Sequence, residues 1–138
     1  MRRIAALATA AATLLATGCG EEKSYSNDPR PPSPIVLTAT ISKDEVSVSP
    51  KRFGAGPVSL VIANQTGAAQ EITFESAGSE AGFTQQTGPI NPGDTATLKA
   101  DIKRSGKVTV KVQGNGIAPA VLAVGARRAS AQNELLQP

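Results

Sequence analysis

From Ile35 onward the chain alternates between apolar and polar positions. Ile35, Leu37, Ala39 and Ile41 are separated by Val36, Thr38 and Thr40. Val46 and Val48 alternate with Glu45, Ser47 and Ser49. Val58, Leu60 and Ile62 follow Gly54-Ala55-Gly56-Pro57, a stretch that reads as a turn. Ile72 and Phe74 lie between Glu71, Thr73 and Glu75, and Ala96, Leu98, Ala100 and Ile102 lie between Thr95, Thr97, Lys99 and Asp101. Val108, Val110 and Val112 alternate with Lys107, Thr109 and Lys111, and residues 120–124 form a last apolar run. A period of two places alternate side chains on opposite faces of a strand. Each run is short and bounded by Gly, Pro, Asn or Ser, as strands of a sandwich are. The pattern predicts an all-β antiparallel sandwich of seven or eight strands, with one solvated face per sheet. No helical stripe competes with it inside the domain. Val36 and Val61 are expected to point outward.

The segment before this domain has a different character. Residues 20–34 are polar and end in Asp28-Pro29-Arg30-Pro31-Pro32-Ser33-Pro34, which favours polyproline II. At roughly 3.1 Å per residue such a spacer reaches up to about 45 Å. Ahead of it, residues 4–16 form a small-and-apolar run behind Met1-Arg2-Arg3. That run is too short to cross a bilayer as a permanent helix and suits a secretory signal. No later segment reaches 18 consecutive apolar residues.

Cys19 is the only cysteine in the chain, so it has no intrachain disulfide partner. Leu15-Ala16-Thr17-Gly18 leads directly into it. An ordinary secretory signal would leave a lone thiol in an oxidising space, where it is a liability. The layout resembles a bacterial lipoprotein signal. That resemblance implies removal of residues 1–18 as a signal peptide and acylation of Cys19, with a diacylglyceryl group and palmitate. It also implies an extracytoplasmic protein held on a bacterial cell membrane by lipid. Two or more acyl chains hold durably where one holds marginally. The expected organisation is a signal at 1–18, a lipidated cysteine and linker at 19–34, a sandwich at 35–126 and a tail at 127–138.

Charge adds little. The formal +3 falls to +1 once Arg2 and Arg3 are removed, because 12 basic side chains then face 11 acidic ones. There is no block of like charge and no aromatic-and-basic patch, so nucleic acid is not an expected partner. Tyr25, Phe53, Phe74 and Phe83 are the only aromatics, and the core must be aliphatic.

The order of landmarks narrows the fold. Val46-Ser47-Val48-Ser49-Pro50 precedes Gly54-Ala55-Gly56-Pro57 and a strand ending in Ala63-Asn64. Gln65-Thr66-Gly67, Gln70-Glu71-Ile72-Thr73-Phe74, Ile90-Asn91-Pro92-Gly93-Asp94 and Gly106-Lys107-Val108-Thr109-Val110 follow. Over residues 38–125 this resembles the cupredoxins, the Greek-key sandwiches of the blue copper proteins. A blue copper centre takes two imidazoles, a thiolate and usually a weak axial thioether. The position matching the family's first histidine is Gln70, and the position matching its cysteine is Val112. The second histidine and the methionine would fall in residues 113–119, Gln-Gly-Asn-Gly-Ile-Ala-Pro here. The chain has no histidine, and Met1 is its only methionine. The resemblance therefore implies a copper-free domain, with no cofactor beyond the lipid on Cys19. Gln70, Gln113 and Asn115 either gather there around a small polar ligand or satisfy loop backbone groups.

Other chemistry lacks its parts. Without histidine or a free thiol, Ser-His-Asp and Cys-His arrangements cannot be built, and no Ser-x-x-Lys occurs. Glu71 and Glu75 share a strand face at about 13 Å, too far apart for a glycosidase pair. Asn64-Gln65-Thr66 matches a glycosylation sequon, but a turn accounts for it. In the tail, Leu135 and Leu136 either dock on the sandwich or a partner or stay loosely ordered, and Arg127 and Arg128 are candidates for anionic contacts. The expectation is a non-enzymatic interaction module that binds an envelope protein or polymer. The alternative is a small-ligand or metal-handling accessory of an envelope uptake system.

Overall fold

The structure is a computed structural model that describes residues 30–76, 82–114 and 116–130. The signal, Cys19, Asn115, Leu135 and Leu136 lie outside the described residues. Eight strands run in order: β1 (Ile35–Ile41), β2 (Val46–Ser49), β3 (Arg52–Asn64), β4 (Ile72–Ser76), β5 (Thr84–Gln86), β6 (Thr95–Ile102), β7 (Gly106–Val112) and β8 (Ala120–Arg127). One sheet has the order β2-β1-β3-β6. The other has the order β5-β4-β7-β8, completed by the first residues of β3. The alternating apolar residues fill the space between the sheets. Leu37, Ala39, Ile41, Leu60, Ile62, Ile72 and Val110 are fully buried, and Phe74 is the largest buried side chain. Fully burying such aliphatic side chains stabilises by about 1.5–3 kcal/mol each.

Two strand pairs are parallel, β1 with β3 and β3 with β8, so the sandwich is mixed rather than wholly antiparallel. Alternation reports which face a side chain takes. It is silent on the direction of the neighbouring strand. β5 was not foreseen either. Its three residues are polar and exposed, with no apolar phase to read, and Phe83 beside it packs edge-to-face on Phe74 at 4.8 Å.

The larger correction concerns Gly54-Ala55-Gly56-Pro57, which is not a turn. It is the interior of a 13-residue strand that leaves one sheet and enters the other. Arg52, Phe53 and Gly54 pair with Ala123, Val124 and Gly125, and the register then shifts between Gly54 and Ala55. From Gly56 the strand pairs with β6, and from Val58 with β1. A bulge bends and twists a strand, which is what such a crossing needs. The glycines there make room for Arg128. A Cβ on Gly54 would sit 2.7 Å from the Arg128 Cγ. One on Gly56 (φ +136°) would sit 2.9 Å from both the Arg128 Nη2 and the Pro32 Cγ.

Arg128 lies across the crossing. Its Nε donates to the Gly54 carbonyl at 3.1 Å, its Nη1 to the Ser33 carbonyl and its Nη2 to the Pro57 carbonyl. Its backbone N–H donates to the Ala55 carbonyl at 2.9 Å. Pro57 costs no ladder bond on the β6 side. Asn64 N–H donates to the Asp94 carbonyl, so even-numbered residues of β3 turn their backbone groups to β6. Odd-numbered ones, Pro57 among them, face the other way. Pro32 is buried beside the same crossing, so the folded body takes in the end of the proline-rich segment.

Candidate functional site

The end of the sandwich to which the resemblance assigns the missing copper ligands is built around Asn64. This residue continues the inward phase of Val58, Leu60 and Ile62, and it is 1% exposed. Its Nδ2 donates to the carbonyls of Ala68 and Ile90, both at 2.8 Å. Its Oδ1 accepts from the Thr66 N–H at 2.9 Å and from the Thr66 hydroxyl at 2.7 Å. All four hydrogen-bonding places of the amide are therefore filled. The backbone follows the same logic: Asn64 N–H donates to Asp94, and Gly93 N–H donates to the Asn64 carbonyl at 2.8 Å. One side chain thus fixes the end of β3, the turn after it and the strand-like segment at Ile90. A buried, doubly donating Nδ2 is not a glycan acceptor in the folded protein. The turn, not the sequon, explains the motif, and the unbroken phase 58-60-62-64 is the sequence signal that could have marked Asn64 as an inward residue.

Gln70 sits next to this network. Its backbone exchanges hydrogen bonds with Ile90 at 3.0 and 2.8 Å, and its Nε2 donates to the Thr66 hydroxyl at 3.3 Å. Val112 ends β7 opposite Ile72 and is 9% exposed. The Gln113 N–H donates to the Glu71 carbonyl at 2.9 Å. The two positions matched to copper ligands are thus brought to the same end of one ladder, as the family resemblance implies. Their chemistry does not fit copper. An amide already committed to Thr66 and a buried isopropyl group offer neither imidazole nor thiolate.

The loop that would carry the remaining ligands does something else. Gly114 and Gly116 have positive φ (118° and 106°), and the chain then crosses to the other sheet. There Ala118 pairs with Glu45 in parallel, accepting from the Val46 N–H and donating to the Asp44 carbonyl, both at 2.8 Å. The loop covers the edge of β2, and Ile117 packs against the core. Gln113 is exposed, and among the described residues no hydrogen bond joins its side chain to Gln70.

The carboxylates likewise stay apart. Glu75 pairs with Lys111 of the neighbouring strand at 2.6 Å, with both side chains partly exposed. Among the described residues no three His, Cys, Asp or Glu side chains converge. A shallow apolar concavity lies at the far end of β8, lined by Arg52, Phe53, Ala123, Val124 and Gly125. It lacks the convergent polar groups that orient a small ligand.

The outer face of the β2-β1-β3-β6 sheet is more distinctive. The register lines up Ser47, Thr40, Ala63 and Thr95 in one row and Ser49, Thr38, Val61 and Thr97 in the next. These two rows carry no charge. Val36, 62% exposed, starts a third row that ends in Lys99. Val61 points outward as expected, although its position in a central strand leaves it half-buried. Val121, 55% exposed, is on the opposite sheet and extends no patch with Val36.

No protein-family model matches this chain, and no curated protein matches it by sequence. Solved structures do match its fold. Auracyanin B aligns with a TM-score of 0.53 at 13% identity, over 68% of this chain and 90% of that one. A dithionite-reduced auracyanin from Roseiflexus castenholzii aligns at 0.48 and 12% identity, over 68% and 98%. A blue copper oxidase from Nitrosomonas europaea aligns at 0.47 and 12%, over 76% of this chain and 43% of the oxidase. With auracyanin B as its structural relative, the chain is an all-β sandwich of cupredoxin-like fold.

Proposed function

We propose that this protein is a lipoprotein anchored on the extracytoplasmic face of a bacterial membrane through Cys19, whose cupredoxin-like domain is a non-catalytic interaction module. The observation that carries the module reading is the uncharged outer face of the β2-β1-β3-β6 sheet. Two full rows of Ser, Thr, Ala and Val run across four strands without a charge. A face without charges can meet another surface with no ion to desolvate. The small-ligand reading has less support, because the Gln70 amide is engaged and the one concavity described above is apolar and open. The membrane reading rests on the sequence ahead of Cys19.

Two experiments test the two halves of this reading. Cys19→Ser should abolish incorporation of a palmitate analogue and move the protein from the membrane fraction to the soluble fraction. Retention in the membrane would overturn the anchor. Photo-crosslinking probes at Val36 and Val61 in the anchored protein should capture one recurrent envelope component. The same probe at Val121 should not. Equal capture from both faces, or none, would overturn the module reading.

A further inference from the structure

A sandwich of two open sheets has four strand edges, and unpaired edges template further pairing unless they are short or covered. Three edges here are protected. β2 is four residues long and is bridged by the loop at Ala118. β5 is three residues long, and only residues 52–55 of β3 border the second sheet. The fourth edge, β6, is different. It has eight residues paired in unbroken register with β3, and it contains no proline and no bulge. Among the described residues only β3 pairs with it.

The parity set by Asn64 and Asp94 extends along this ladder. Even-numbered residues of β6 hydrogen-bond β3, so Thr95, Thr97, Lys99 and Asp101 turn their N–H and C=O groups to the open edge. We infer that this edge pairs antiparallel with the same edge of a second copy of this chain, about a two-fold axis at Ala100. The charges select that partner and that register. With Ala100 opposite its own copy, Lys99 lies directly opposite Asp101 of the second chain, and Asp101 lies opposite its Lys99. One register step toward Lys99 places two lysines face to face, and one step toward Asp101 places two aspartates face to face; like charges directly opposite are destabilising. An isologous contact requires such self-complementarity. On the inner face the same register sets Leu98 against Ile102 of the second chain, joining the rims of two cores. Two sheets become one of eight strands, held by about four new backbone hydrogen bonds.

The full chain with Ala100→Cys tests this. Ala100 faces β3 through its backbone, so across the axis it forms a non-hydrogen-bonded pair, whose short separation accommodates a disulfide. Oxidation should yield a disulfide-linked dimer that the parent chain, carrying Cys19 alone, does not give. Adding Lys99→Asp or Asp101→Lys should each cut the yield by about tenfold, and combining the two should restore it. Lys99→Pro removes an N–H that would bond Asp101 of the second chain but none from the β3 ladder, so it should abolish the dimer while cooperative unfolding is retained. A folded Ala100→Cys protein that stays monomeric would overturn the inference. So would a dimer indifferent to the charge exchange, or a crosslink to a different protein.

Discussion

Asn64 and Ile90, 26 residues apart in sequence, are joined by a buried hydrogen bond from the asparagine Nδ2 to the isoleucine carbonyl. The same carbonyl accepts from the Gln70 N–H, so one oxygen ties the end of β3 to the start of the β4 region. This is the pole at which the cupredoxin resemblance would place a metal. Here side-chain amide and hydroxyl groups organise it instead.

Asn64→Ala should therefore be among the most damaging polar-to-apolar changes in the domain. It leaves the Thr66 N–H without its acceptor and takes one of two donors from each of the Ala68 and Ile90 carbonyls, and the expected loss is about 2 kcal/mol. Asn64→Asp should be at least as damaging, because a carboxylate has no proton to give the Ala68 and Ile90 carbonyls. Urea denaturation of the two variants beside the parent measures both. A loss near zero would show that the network is not a stabilising feature.

Arg128 is the second fixed point. Its planar fork reaches three carbonyls on two segments, Ser33 ahead of β1 and Gly54 and Pro57 of β3, a geometry that a single ammonium cannot reproduce. Arg128→Met should cost about 2 kcal/mol, and Arg128→Lys should recover less than half of it. Limited proteolysis should show new cutting near Ser33 in both variants. Unchanged cutting would mean that the segment is held by Pro32 alone.

The Lys111–Glu75 pair should matter little. Both side chains are partly solvated, at 46% and 31% exposure, and exposed ion pairs contribute about 1 kcal/mol or less. Lys111→Met should leave the thermal midpoint nearly unchanged, and what small effect remains should shrink further in high salt. A large, salt-independent loss would contradict this.

Much of the sandwich was legible because burial follows a period of two. The inward residues of β1, β2, β4 and β7 are the ones that alternation marks, from Leu37 through Val112, whereas the unbroken apolar run of β8 does not separate buried Leu122 from exposed Val121. What alternation could not give has definite physical causes. Strand direction leaves no trace in a single strand's phase, so the parallel partners of β3 were invisible. The glycines and proline at 54–57 signal a turn when read locally. They are explained by a side chain more than seventy residues later that must lie against them. At the metal pole, the sequence showed which chemistry was missing, since no histidine stands anywhere in it. It did not show that Asn64 and Thr66 fill the structural role, although Asn64 continues the inward phase of its strand. Arg128 was legible only as a charge in a tail, and its work is structural.

The fastening of Ser33 to Arg128 has a mechanical meaning. With Pro32 buried and Ser33 tied, a lipid on Cys19 would be joined to the body by residues 20–31, a leash of about 37 Å at full polyproline extension. Tension on that leash would arrive at the crossing of β3 between the two sheets rather than at a loose edge strand. The load would then be borne by the junction of the two sheets and not by the ladder of β1 alone.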